Sequence, residues 1–106
     1  MGNDLALSKN LRRKKLTKDM FGWSVCNITN GVSVFFNTNS KNENSVLVLI
    51  PKKVVKEAFK RNLLRRRAKE VFRLNANREK SLDYLIRFNK FVEGFEGSLK
   101  EFFRNV

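Results

Sequence analysis

The stretch KKVVKEAFKRNLLRRRAKEVFR, residues 52–73, sets ten cationic side chains against two carboxylates, a formal +8 in 22 residues. Groups of this kind at this density bind anions. Arg65, Arg66 and Arg73 carry planar forks that match phosphate oxygens two at a time, whereas Lys52, Lys53, Lys60 and Lys69 are compact, mobile charges. Asn62 donates and accepts at once, which suits a base edge or a ribose hydroxyl that a cation cannot distinguish. Projected at about 100° per residue, Asn62, Arg65, Arg66, Lys69 and Arg73 share about 100° of a helix, while Leu64, Ala68, Val71 and Phe72 gather on another arc. One face can pack while the other meets phosphate. Arg61 falls beside the apolar arc, so it either snorkels along its own stem or reaches back over the helix start. Phe59, Leu63 and Leu74 form a third, apolar sector, which predicts protein on two flanks of the helix. A solvated helix ordinarily mixes signs to gain i,i+4 pairs, and this one carries like-charge repulsion instead. The polyanion expected is a nucleic acid.

The chemistry that is missing narrows the function as much. The chain has no His, which removes His-based acid–base catalysis and the usual triads. Its ten carboxylates are scattered along the sequence rather than gathered for a two-metal nuclease. Gly22, Gly31, Gly94 and Gly97 make no phosphate-loop or dinucleotide fingerprint. Cys26 is the sole cysteine, so a disulfide framework and a Cys-rich zinc site are both excluded, and a small buried hydrophobe is its expected role. No catalytic residue, no metal site and no small-molecule substrate are therefore assigned to the chain. If it takes part in catalysis, another molecule supplies the reactive centre. The net charge of +13 and pI near 10.5 give a strong positive field and salt-sensitive association with RNA, DNA or an anionic membrane. No apolar run reaches membrane-spanning length and the first residues lack a signal-peptide core, so a cytoplasmic location without membrane attachment is expected.

Several elements must position these residues. A length of 106 residues with 42% apolar side chains suits one domain with one shared core. We divide it into a basic arm or short helix over residues 1–20 and an α+β domain over residues 21–106. Within the arm, Arg12, Arg13, Lys14 and Lys15 are either a solubilising terminus or a second RNA contact. Residues 23–29 and 32–36, rich in β-branched and aromatic side chains, flank Asn30-Gly31, the strongest short-range hairpin signal. Residues 37–45 hold four Asn and read as a loop. Residues 46–50 form a short apolar run, a buried central strand that Pro51 ends. The helix then spans about residues 55–75, with no clear cap to fix its start. Leu82, Tyr84, Ile86 and Phe88 alternate with Asp83 and Arg87 as a last strand. Strand, long helix and strand imply a parallel crossover. The Ser98-x-x-Glu101 pattern predicts a capping box opening a short C-terminal helix. The fold class is thus α+β: about four strands in a mixed sheet, a long basic helix in a βαβ crossover, and a short terminal helix.

The order of residue types in the basic stretch resembles a known family. Lys60-Arg61-Asn62, two residues, Arg65-Arg66, two residues, Lys69-Glu70, then Phe72-Arg73 is similar to the Arg-Asn helix of the bacterial ribonuclease P protein component. The preceding VLVLIPKK and the following LDYLIRF resemble the strands on either side of that helix, and the likeness covers about residues 45–105. Leu63 departs from it, standing where a second cation usually follows Asn. The resemblance implies an α+β fold shared with a ribosomal protein domain. It implies membership of an endoribonuclease holoenzyme whose RNA performs magnesium-dependent removal of the 5′ leader from precursor tRNA. Ribonuclease P RNA and precursor tRNA would be the partners, and Mg2+ would act through the RNA without a site on the protein. Lys52, Lys53, Lys60, Arg61, Asn62, Arg65, Arg66, Lys69 and Arg73 would contact RNA. The family also holds the leader on its sheet, partly by aromatic stacking, for which Trp23, Phe35, Phe36 and Tyr84 are the candidates. The alternative is a ribosomal or ribosome-assembly protein that binds RNA without catalytic association. A DNA-binding regulator is a third possibility, which the apolar sectors on both flanks of the helix disfavour.

Overall fold

Asn30-Gly31 reverses the chain between β1 (Ser24–Thr29) and β2 (Val32–Thr38), an antiparallel pair in which Val25 faces Phe35 and Cys26 faces Val34. Gly31 takes φ 93°, and a Cβ there would lie 2.8 Å from Lys90 Cγ and 2.9 Å from Val92 Cγ2. Both the backbone angle and the close approach call for glycine. A computed structural model of the chain describes residues 18–39, 43–76 and 81–106. The expected arm with Arg12, Arg13, Lys14 and Lys15 lies outside them.

The sheet has the order β1-β2-β4-β3, with β4 (Leu82–Phe88) antiparallel to β2 and parallel to β3 (Ser45–Leu49). Two adjacent parallel strands cannot be joined by a hairpin, and α1 (Ala58–Asn75) is the crossover between them. A second helix, α2 (Glu96–Asn105), packs beside α1. Period-2 alternation sorts the strands into two faces. On one, Val32, Val34, Val46, Val48, Tyr84, Ile86 and Phe88 meet Leu64, Ala68, Val71 and Phe72 of α1 and Leu99 and Phe103 of α2. Phe72, Tyr84 and Phe103 pack edge to face with centroids 5.1–5.8 Å apart, an arrangement that adds to their area burial. On the opposite face Phe35 and Leu85 are covered by Met20 from a 3-10 turn (Lys18–Gly22), with Trp23, Leu47 and Leu49 alongside.

Four expectations are corrected. The apolar run expected to be a central strand, β3, lies at the edge of the sheet, paired with β4 alone among the described strands. The long helix starts at Ala58, about a turn late, because the Pro51 carbonyl accepts from both Val54 and Val55 N–H at 3.1 and 3.2 Å and closes a separate turn. The short helix begins at Glu96 with Phe95 at its N-cap and no side-chain cap bond. Phe95 is buried against Phe88, centroids 5.0 Å apart; apolar anchoring sets that helix start, and Ser98 lies inside the helix. Cys26 is only half-buried, beside an open hollow between β1 and α2. The Asn-rich connection does more than link strands. Asn39 Nδ2 and Ser45 Oγ both donate to Asp83 Oδ1, and Asn44 Oδ1 accepts from Leu82 N–H at 3.1 Å. These bonds clasp the ends of β2, β3 and β4.

Candidate nucleic-acid interface

α1 owes its orientation to Leu64, Ala68, Val71 and Phe72, all buried, which turn the opposite arc outward. Asn62 and Arg66 are exposed there, flanked by half-exposed Arg65, Lys69 and Arg73. Among the described residues, neither Arg65 nor Arg66 has a carboxylate partner. Arg65 Nη1 donates to Asn62 Oδ1 at 3.3 Å, a long contact that orients the amide and leaves the charge unneutralised. The start of the helix adds to the field: Glu57 makes no side-chain cap bond and no acid lies in the first turn. Uncapped N–H groups there carry partial positive charge, and Lys52 and Lys53 stand exposed in the preceding turn.

The other cations are committed within the protein to differing degrees. Arg61 reaches back, its Nη1 donating to the carbonyls of Val55 at 3.0 Å and Lys56 at 2.8 Å. It braces the loop that carries Lys52, Lys53 and Lys56. Lys60 sits 3.8 Å from Glu57 and 5.4 Å over the Phe91 ring, on the flank of the helix. Arg73 grips Glu70 through two bonds, 3.2 and 2.7 Å, and the hydrogen bond holds the Glu70 carboxyl below its ordinary value. Such exposed i,i+3 pairs contribute little, so phosphate can share Arg73. Arg67 spans to Glu96 at 3.7 Å and ties α1 to α2.

The apolar sector is corrected. Phe59 is 68% exposed and Leu74 64% exposed, so the second flank of α1 is open rather than covered by protein. The stacking candidates also separate. Tyr84 is fully buried between the sheet and the helices, where no base can reach it. Phe36 lies on the helix side of the sheet against Phe102, centroids 5.5 Å apart. Phe35 is buried under the edge of Phe21. Trp23 remains half-exposed on the open face. Sequence reasoning missed Phe21 itself, which is 44% exposed with the Arg87 guanidinium 5.8 Å from its centroid. Its position two residues before Trp23, ahead of the first strand, was the available signal.

Among the described residues no group of three or more His, Cys, Asp or Glu is placed to hold a metal, and no helix is long and apolar enough to cross a membrane. A mixed sheet that holds out one helix bearing unneutralised guanidinium groups and an exposed amide defines a polyanion-binding protein of the α+β class. The family model for ribonuclease P matches residues 8–105, and the chain belongs to that family. Its partner class is accordingly RNA. Two solved structures of the ribonuclease P protein from Thermotoga maritima share the fold. One, in complex with 1-(4-fluorophenyl)-2-thiourea, superposes with a TM-score of 0.71 at 20% identity, over 89% of this chain and 99% of that one. The other gives 0.68 at 20% identity, over 89% and 98%. No curated protein gives a significant sequence match.

Proposed function

We propose that this chain binds ribonuclease P RNA through the Asn62, Arg65 and Arg66 face of α1, extended by Lys52, Lys53, Lys69 and Arg73. In that position it screens phosphate repulsion and helps hold precursor tRNA for removal of the 5′ leader. Bond cleavage belongs to the RNA, since the chain has no His and its described carboxylates do not gather. The donor set does not fit a magnesium site on the protein: Asp83, the buried carboxylate, accepts from Ser45 and Asn39. Lys60 and Arg61 support the face from behind, with Arg61 acting through the loop it braces. Trp23 and Phe21, on the open side of the sheet, are the aromatic groups available to a single-stranded leader. The observation that carries this reading is the pair Arg65 and Arg66, turned outward without carboxylate partners among the described residues, in a chain of the ribonuclease P family. Reconstitution tests it. Added to its genomic ribonuclease P RNA at low magnesium, the protein should raise the rate of 5′ maturation of precursor tRNA. No gain over RNA alone would remove the proposal.

A further inference from the structure

Nine of the ten Phe side chains are accounted for by packing: eight make ring-to-ring contacts, and Phe91 lies under the Lys60 ammonium against the main core. Among the described residues Phe59 has neither kind of contact and is the most exposed of the large hydrophobics, at 68%. Its place on the helix gives that exposure meaning. At about 100° per residue Phe59 lies about 20° from Arg66 and about 60° from Asn62, just beyond the edge of the outward arc. It also occupies the first turn, where the uncapped N–H groups are found. A lone surface hydrophobe needs no explanation, but an unsupported aromatic ring beside an exposed guanidinium and an exposed amide has the composition of a nucleotide site. Aromatic faces stack on unpaired bases irrespective of sequence, while neighbouring Arg and Asn meet phosphate and ribose.

From this we infer that Phe59 is a stacking platform for one unpaired nucleotide of the ribonuclease P RNA, whose sugar-phosphate is held by Arg66 and Asn62. The inference rests on the RNA-binding role of α1 and identifies what that role requires beyond charge. The charge pattern favours RNA over an apolar protein as the occupant: Arg66 stands two turns further along on almost the same strip of the helix, the adjoining outward arc continues through Arg65, Lys69 and Arg73, and the acid nearest in sequence, Glu57, is paired with Lys60 at 3.8 Å.

The test compares the wild-type chain with Phe59→Leu, Phe59→Tyr and Phe59→Trp in binding to the genomic ribonuclease P RNA over a series of salt concentrations. The position is exposed, so folding is not at stake; equal melting temperatures check this. Leu keeps apolar surface but lacks a π face. It should weaken binding by about 5- to 100-fold, in the range that stacking contributes per base, with the salt slope unchanged because no phosphate contact is lost. Tyr should bind like the wild type. The emission that Phe59→Trp adds to that of Trp23 should be quenched on binding. Equal affinity of Phe59→Leu and wild type, or no quenching, overturns the inference while leaving the cationic face intact, and would reassign the ring to a protein contact. Absence of salt-sensitive binding by the wild type would instead sink the underlying reading.

Discussion

Arg61 and Arg66 lie five residues apart on one helix, and the structure predicts that neutralising them has opposite consequences. Arg61 donates to two carbonyls at 3.0 and 2.8 Å, one of them on buried Val55. Replacing it with Gln removes two charge-assisted bonds from a site that water partly reaches, a loss of about 1–2 kcal/mol. For a chain of this size that is about 5–10 °C in Tm. RNA affinity should fall as the Lys52–Lys53 loop loosens. The slope of log Kobs against log[salt] should stay within about 0.3 of the wild-type value, since no phosphate contact is deleted. Arg66→Gln removes an exposed charge with no partner among the described residues, so Tm should hold within about 1 °C while the slope becomes shallower by about one unit. Thermal unfolding by circular dichroism gives the first quantity, and filter binding across a salt series the second. If Arg61→Gln flattened the slope and left Tm alone, the bracing role would be wrong and Arg61 would be a phosphate contact.

Other perturbations reach the core and the sheet. Phe72→Ala removes a ring packed against Tyr84 and Phe103 and should cost about 3–5 kcal/mol, visible as a lower urea midpoint. Gly31→Ala combines positive φ with approaches of 2.8 and 2.9 Å; it should cost about 1–3 kcal/mol with RNA contacts preserved, measured by the same unfolding curve. Burial pushes the Tyr84 phenol up to about 12. A raised folded value means its contribution is whole below the unfolded value near pH 10, and is lost as pH climbs from about 10 to 12, by about 2–3 kcal/mol. Among the described residues that hydroxyl has no hydrogen-bond partner, so Tyr84→Phe should raise Tm at neutral pH and flatten the alkaline decline.

The elements legible in the sequence were those set by strong local patterns. Asn30-Gly31 announced the hairpin, period-2 alternation the face of β4, and Pro51 the end of β3. The two-faced basic pattern announced α1 and its outward arc. Boundaries failed where a backbone group or a distant ring decided them: the Pro51 carbonyl delayed α1, and the fit of Phe95 against Phe88 opened α2 ahead of the Ser98 pattern. Within the interface, residue types pointed to the cations but could not say which were already engaged. The alternative that Arg61 reaches back was readable from its place beside the apolar arc, yet its two acceptors lie in a loop of unpredictable course. Tyr84 illustrates the opposite loss, since alternation placed it on an apolar face but could not say that two helices close over that face. Phe59 misled for a related reason, because an apolar side chain was equated with coverage.

The crossover position of α1 couples assembly to ionic conditions in two directions. The same helix joins two neighbouring strands and crowds like charges together, so the unbound chain carries internal repulsion that counterions relieve. Added salt therefore firms the isolated fold while loosening its grip on RNA, and the nucleic acid becomes the protein's own stabilising counterion. Between dilute and concentrated electrolyte, the melting temperatures of the free and RNA-bound forms should converge.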